Sequence, residues 1–246
     1  MHVKSLAHAF AGVLAIASAA AMASAQSPTV DEIVAKNLAA KGGADKLRAV
    51  TSVKTKGRIK TGRGDLPVVV WTMRPNLMRR ELTADGQTQV VAFDGKMLWG
   101  INPMLGGKPQ EITGPAAERT RQDADDFDSV LLDYAQKGYK VELLPAEGAG
   151  TRLRVTKKNG TVQEIHLAPD TFLEDRISME VDQGGRKGVL ATEFSNYKPV
   201  NGMMVPFTIR QSLNGQVSAE VQYEQVEFNL PIDEALFRMK GSAVAR

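Results

Sequence analysis

The 246-residue sequence contains no cysteine. That excludes a disulfide framework, a thiolate zinc site and a cysteine nucleophile, so the fold has to be held by a packed core. Histidine is nearly as scarce, with His2, His8 and His166 the only three. His2 and His8 fall in the leader described next, and one remaining imidazole cannot build a metal site of two or more histidines. A serine triad would have to use His166, and no Gly-x-Ser-x-Gly nucleophile elbow occurs to accompany it. Charge of one sign is also missing: 31 Lys and Arg stand against 28 Asp and Glu, interspersed, which argues against a large basic field for nucleic acid.

What is present begins with an export signal. Lys4 precedes the small-apolar run from Ala9 to Ala17, and Ala23-Ser24-Ala25 has the small-x-small form of a signal-peptidase site. The run is shorter than the ~20 residues a bilayer needs. Residues 1–25 read as a cleaved signal, and residues 26–246 as one domain placed in the periplasm. A lipid anchor would need cysteine as the first mature residue, where Gln26 stands. At 43% hydrophobic and 24% charged, the mature part reads as an ordinary globule.

Thr29 and Glu32 have capping-box spacing, and Val30, Ile33, Val34 and Leu38 recur at helical period until Gly42-Gly43, predicting an amphipathic helix. A short helical turn follows over Ala44 to Ala49. From Val50 the period changes to two. Val53, Thr55, Gly57 and Ile59 alternate with Lys54, Lys56, Arg58 and Lys60, a strand whose cationic side reads as a solvated outer face. Further alternating segments are divided by turn pairs such as Asp85-Gly86, Asn159-Gly160 and Asn214-Gly215. A second helix is expected from Ala116 to Gln136, with Asp126 or Asp128 capping its part from Ser129 to Lys137. About a dozen strands joined by tight turns require an antiparallel sheet, which must curl at that size. The fold class is therefore α+β, mainly β: a curved, open half-barrel whose helices lie on the concave face.

Several segments together carry a family resemblance. They are Gly42-Gly43-Ala44-Asp45-Lys46-Leu47, Arg74-Pro75-Asn76-Leu77-Met78-Arg79-Arg80-Glu81, Phe93-Asp94-Gly95-Lys96-Met97-Leu98-Trp99, the run from Asp125 to Tyr134 with that from Lys137 to Leu143, and Asn201-Gly202-Met203-Met204-Val205-Pro206-Phe207. In this order the chain resembles the LolA/LolB superfamily of periplasmic lipoprotein carriers and sensors. The resemblance implies a half-barrel of about eleven strands that accepts acyl chains of lipids or lipoproteins. It also implies a monomer with no cofactor and no nucleic-acid partner, working between an inner-membrane transporter and an outer-membrane acceptor, or else a lipid sensor or adaptor. Members often end in Phe-x-x-Pro, whereas Phe237-Arg238-Met239-Lys240 lacks the proline.

The acids Asp123, Asp125, Asp126 and Asp128 do not form a calcium loop, because Phe127, Asp128 and Tyr134 occupy positions where an EF-hand needs an oxygen ligand, glycine and glutamate. His166 reads as a surface cross-strand residue. The candidate cavity residues are Trp71, Met73, Phe93, Leu98, Trp99, Met104, Leu105, Met203, Met204 and Phe207, since methionine suits adaptable apolar sites and the largest apolar hollow is the default site. Val68-Val69-Val70-Trp71 is apolar at every position, as expected of a strand covered on both sides. Strand acids such as Glu180 and Asp182 should point to solvent, leaving no converging carboxylates and no catalytic residues.

Overall fold

The computed structural model describes residues 28–61, 64–114, 117–118, 121, 127–182 and 187–239. The export signal and Asp123, Asp125 and Asp126 lie outside them. Helix α1 (Val30–Ala40) starts at the expected box: Glu32 N–H donates to Thr29 Oγ1, and Thr29 N–H donates to Glu32 Oε2 at 2.8 Å. Gly42 then turns the chain at φ 116°, and a Cβ there would lie 2.4 Å from the Gly202 carbonyl oxygen. Only glycine allows that approach, which seats the short helix α2 (Ala44–Arg48) against the turn before Met203.

Thirteen strands follow. The first six are β1 (Ser52–Thr61), β2 (Gly64–Met73), β3 (Leu77–Ala84), β4 (Gln87–Phe93), β5 (Leu98–Ile101) and β6 (Pro109–Glu111). The rest are β7 (Lys140–Leu143), β8 (Thr151–Thr156), β9 (Val162–Leu167), β10 (Glu174–Asp182), β11 (Lys187–Val200), β12 (Met203–Leu213) and β13 (Gln216–Phe228). They form one antiparallel sheet in the order β6-β5-β4-β3-β2-β1-β13-β12-β11-β10-β9-β8-β7, an open half-barrel. Two meanders are joined where the first strand meets the last. Strand β6 is the one that the sequence conceals, because Pro109 opens it inside a Pro- and Gly-rich connection; the count is thirteen rather than about eleven.

The second predicted helix is not the continuous one expected. Residues 117, 118 and 121 are helical, but 130–138 run as successive turns, and Asp133 sits at φ 54°. A left-handed residue cannot continue an α-helix. Asp128 therefore caps no helix; it receives two hydrogen bonds from Arg74, at 2.6 and 2.8 Å.

Residues directly opposite in a ladder point to the same side of the sheet. The ladder β1–β13 slips between Lys56 and Gly57, a bulge of the kind that bends a sheet. A Cβ on Gly57 would lie 2.2 Å from the Gln222 carbonyl oxygen, so the bend depends on this glycine. The convex side carries a row of alternating charge across six strands, Arg176, Glu193, Arg210, Glu220, Lys60 and Asp65. Contacts along it include Lys60–Glu220 at 2.8 Å and Arg210–Glu220 at 3.1 Å. The cationic alternation of β1 is thus an outer face, where Lys60 pairs with Glu220, Arg58 donates to the Asp65 carbonyl and Lys54 lies over the Trp71 ring.

On the convex side of β3 to β5 the covering is chain rather than charge. After β13 the backbone crosses to Trp99, whose Nε1–H donates to the Phe237 carbonyl at 2.7 Å, while Arg79 donates to the Leu236 carbonyl at 3.1 Å. Trp99 packs with Val90, Ala92 and Met239, and Phe237 is fully buried. Trp99→Phe keeps a ring but leaves the Phe237 carbonyl without its donor. Unfolding free energy from a denaturant titration should fall by ~1–3 kcal/mol, the cost of an unsatisfied buried acceptor. An unchanged midpoint would show that this clamp contributes nothing.

Candidate functional site

The concave side is covered at its two flanks. On one flank, Ile33 and Val34 of α1 pack with Val130, Leu131, Leu153, Val155, Ile165 and Leu167, over β8 and β9. On the other, Ile112 and Ala117 pack on Phe93 and Leu98, over β4 and β5. Between them runs an apolar row, Phe194, Ile209, Val221, Ile59 and Leu66, one residue from each of β11, β12, β13, β1 and β2. All five are only half-buried. Val68 and Val70 extend this surface on β2, with Leu82 opposite Val68 on β3.

Arginines suspend the 127–138 segment beside this face. Arg74, at the end of the β2–β3 ladder, donates to the carbonyls of Val50 and Arg48 as well as to Asp128, and its guanidinium lies 4.8 Å from the Phe127 ring. Arg48 holds Asp133 at 2.6 Å and Asp45 at 2.8 Å. A cavity of about 250 Å³ remains between this segment and the sheet, lined by Val130, Ile177, Thr192, Phe194, Tyr197 and Pro206. Its polar pole is the Lys41–Glu174 ion pair at 2.8 Å, with side chains 18% and 8% exposed. Asn196, at φ 53°, interrupts the regular alternation of β11 just before Tyr197. The Tyr197 hydroxyl donates to the Glu174 carbonyl; burial pushes its pKa far up, and the carboxylates of Glu174 and Asp175 add to the rise. The hydroxyl stays protonated, a donor rather than a base.

The candidate residues named from sequence fall into four places. Phe93 and Leu98 lie on the concave side, buried under Ala117. Trp71, Met73 and Trp99 lie on the convex side, where Trp71 stands opposite Lys54 and Arg79. Met203 is buried against Gly42, Met204 donates its N–H to the Lys41 carbonyl, and Phe207 is buried on the same strand. Met104 and Leu105 sit on an outlying 3₁₀ turn, 86% and 69% exposed. The half-buried row itself was missed; its signal was the odd-numbered side of β1, opposite the lysines.

His166 lies between Arg152 and Arg176 on the convex side, with Nδ1 2.5 Å from Asp175 Oδ1 and Nε2 2.9 Å from the Ala149 carbonyl. It is a cross-strand residue. Among the described residues no group of three or more acids or histidines is placed to hold a metal ion. None of the described helices is long and apolar enough to cross a membrane.

This open antiparallel half-barrel is similar in architecture to solved proteins. The chain is similar to a domain described as an outer membrane lipoprotein-sorting protein from Vibrio parahaemolyticus, with a TM-score of 0.53 and 16% identity over 84% of this chain and 94% of that one. It is also similar to a LolA superfamily protein from Nitrosomonas europaea, with a TM-score of 0.54 and 14% identity over 86% of this chain and 98% of that one. The fold is LolA-like. At these identities the likeness is one of architecture. No protein-family model matches the sequence, and no curated protein does.

The Arg48–Asp133 contact makes the hold on the 127–138 segment sensitive to acid. Hydrogen bonds from Arg48 hold the Asp133 carboxyl below its ordinary range. A depressed carboxylate contributes stability above the unfolded pKa of ~3.9 and loses it as pH falls through the folded value. Asparagine tolerates the left-handed backbone of residue 133, so Asp133→Asn removes the charge alone. The variant should be less stable than wild type at pH 7, and the gap should close below about pH 4. A gap that stays constant down to pH 2.5 in thermal melts would refute the pairing.

Proposed function

We propose that this protein is a periplasmic carrier that holds the acyl chain of a lipid or lipoprotein against its concave face, a binding protein and not an enzyme. The observation that supports this reading is the row Phe194, Ile209, Val221, Ile59 and Leu66: five contiguous apolar side chains, half-buried, on the face that the sheet curls around. Soluble domains seldom expose a contiguous apolar patch without a use for it. The neighbouring 250 Å³ cavity continues the apolar surface and ends at Lys41 and Glu174. Phe93 and Leu98 from the sequence candidates belong to this side; Trp71, Met73 and Trp99 do not, and in this reading they serve stability. The two folds of like architecture, one described as a lipoprotein-sorting domain, favour the same class of cargo.

Val221→Glu places an ion in the middle of the row, where an acyl chain would strip it of water at a cost of several kcal/mol. Binding of a fluorescent fatty acid should weaken at least tenfold, while the convex-face variant Arg210→Gln binds as wild type. Equal uptake by all three proteins would dismiss the reading. Export is part of the proposal, with residues 1–25 as the cleaved signal. Intact mass of periplasmic material should start at Gln26 without a lipid adduct, and material retaining Met1 would contradict it.

A further inference from the structure

The ladder between β9 and β10 stops early. It runs from the Leu167–Glu174 pair to Glu164–Ser178 and ends there, although both strands continue. Strand β9 goes on to Val162, paired with Thr156 of β8, and β10 goes on to Asp182, paired with Lys187 of β11. In unbroken register Glu180 would face Val162. Instead a cavity of about 840 Å³ opens between the strands. Its lining comes from both sides of the sheet: Gln163, Met179 and Val181 share the concave parity of Ile165 and Ile177, while Val162, Glu180 and Val189 lie on the convex side.

Such a fork differs from an ordinary pocket in what its walls offer. Successive strand residues turn their N–H and C=O to opposite neighbours. Strand β10 meets β11 with one set, so alternate residues within Met179–Val181 turn theirs into the fork, and β9 does so at its Val162–Gln163 end. A chain inserted there would complete two ladders at once. At ~4.8 Å between strands, ~10 Å of sheet thickness and ~3.4 Å per residue, the volume holds about five extended residues. Charge narrows the choice further. Arg154 and Glu164 in the lining neutralise each other at 2.9 Å, and Lys157 is already partnered. Glu180 is exposed and forms no ion pair among the described residues.

We propose that the β9–β10 fork is a docking slot for an extended peptide segment of a partner protein, inserted as a strand between them. Its apolar side chains alternate toward Met179 and Val181, and a basic side chain lies beside Glu180. The slot lies apart from the acyl-binding row and meets the neighbouring 250 Å³ cavity only at Gln163, so peptide binding is tested without lipid.

The probe is the acetylated, amidated heptapeptide SVTVKVT, titrated in the absence of lipid into the full mature chain followed by amide NMR and hydrogen exchange. Binding should shift and protect alternate amides within Met179–Val181. N-methylation of the central valine, which removes one ladder donor, should weaken binding at least tenfold. Replacing the lysine by glutamate should weaken it about tenfold for wild type, and Glu180→Lys should reverse that preference. No binding at millimolar peptide would overturn the proposal. So would binding indifferent to N-methylation, or shifts confined to Val70 and Val221, since these report adsorption to the apolar row.

Discussion

An open sheet presents two faces to water, and each must be made polar or be covered. The short helices among the described residues cannot cover a sheet of thirteen strands, and here neighbouring residues on the same strands divide the task. Glu193 and Phe194, Arg210 and Ile209, Glu220 and Val221, Lys60 and Ile59, Asp65 and Leu66 sit side by side along the chain and on opposite sides of the sheet. The first of each pair builds a charge ladder that water can solvate. The second builds an apolar row that water cannot. Exposed ion pairs contribute ~0–1 kcal/mol each, so the ladder's role lies less in stability than in fixing which side faces out: a one-residue slip would turn every charge inward.

The same parity depends on the junction of β1 with β13, where the first strand meets the last and the two meanders become one surface. Closing that contact costs loop entropy that a local hairpin does not. The C-terminal segment reinforces it by crossing from β13 to Trp99 and Arg79 on the far meander, and Ser52 at the start of β1 donates to the Leu230 carbonyl on the way. Phe237 is buried at the end of this crossing, and the backbone carbonyls of Leu236 and Phe237 anchor it through Arg79 and Trp99. The bulge at Gly57 bends the sheet at the same junction.

The alternation within each strand and the turn residues between strands were legible in the sequence, and so the sheet, its antiparallel sense and helix α1 were too. The phase of one strand relative to the next was not. Val68-Val69-Val70-Trp71 illustrates the difference: every residue is apolar, and only the pairing of Gly57 with Val68 and of Lys54 with Trp71 sends Val68 and Val70 to the concave side and Trp71 to the convex. Trp99 was misleading for the same reason, since a large buried aromatic fits a ligand cavity and a clamped chain end equally well. Within the stretch from Ala116 to Gln136 the run from Asp125 to Val130 is made of weak helix formers, and Arg48 and Arg74 hold Asp133 and Asp128 from outside the segment, so local preference and tertiary partners both work against one continuous helix.

The half-exposed row also follows from energetics. Fully burying a valine-, leucine- or phenylalanine-sized side chain is worth roughly 1.5–3 kcal/mol, and five such residues left half-buried forgo several kcal/mol of stabilisation that a longer helix or a tighter curl would recover. The flanks show that this chain can supply such covering: α1 buries Leu153 and Ile165 completely, and Ala117 does the same for Leu98. A marginally stable domain can bear an uncovered row only if the deficit is small or is made good by something that binds the folded state alone. An apolar ligand seated on Ile59 and Val221 would make it good without requiring the sheet to move, because the row is already aligned by the register that the convex charges enforce.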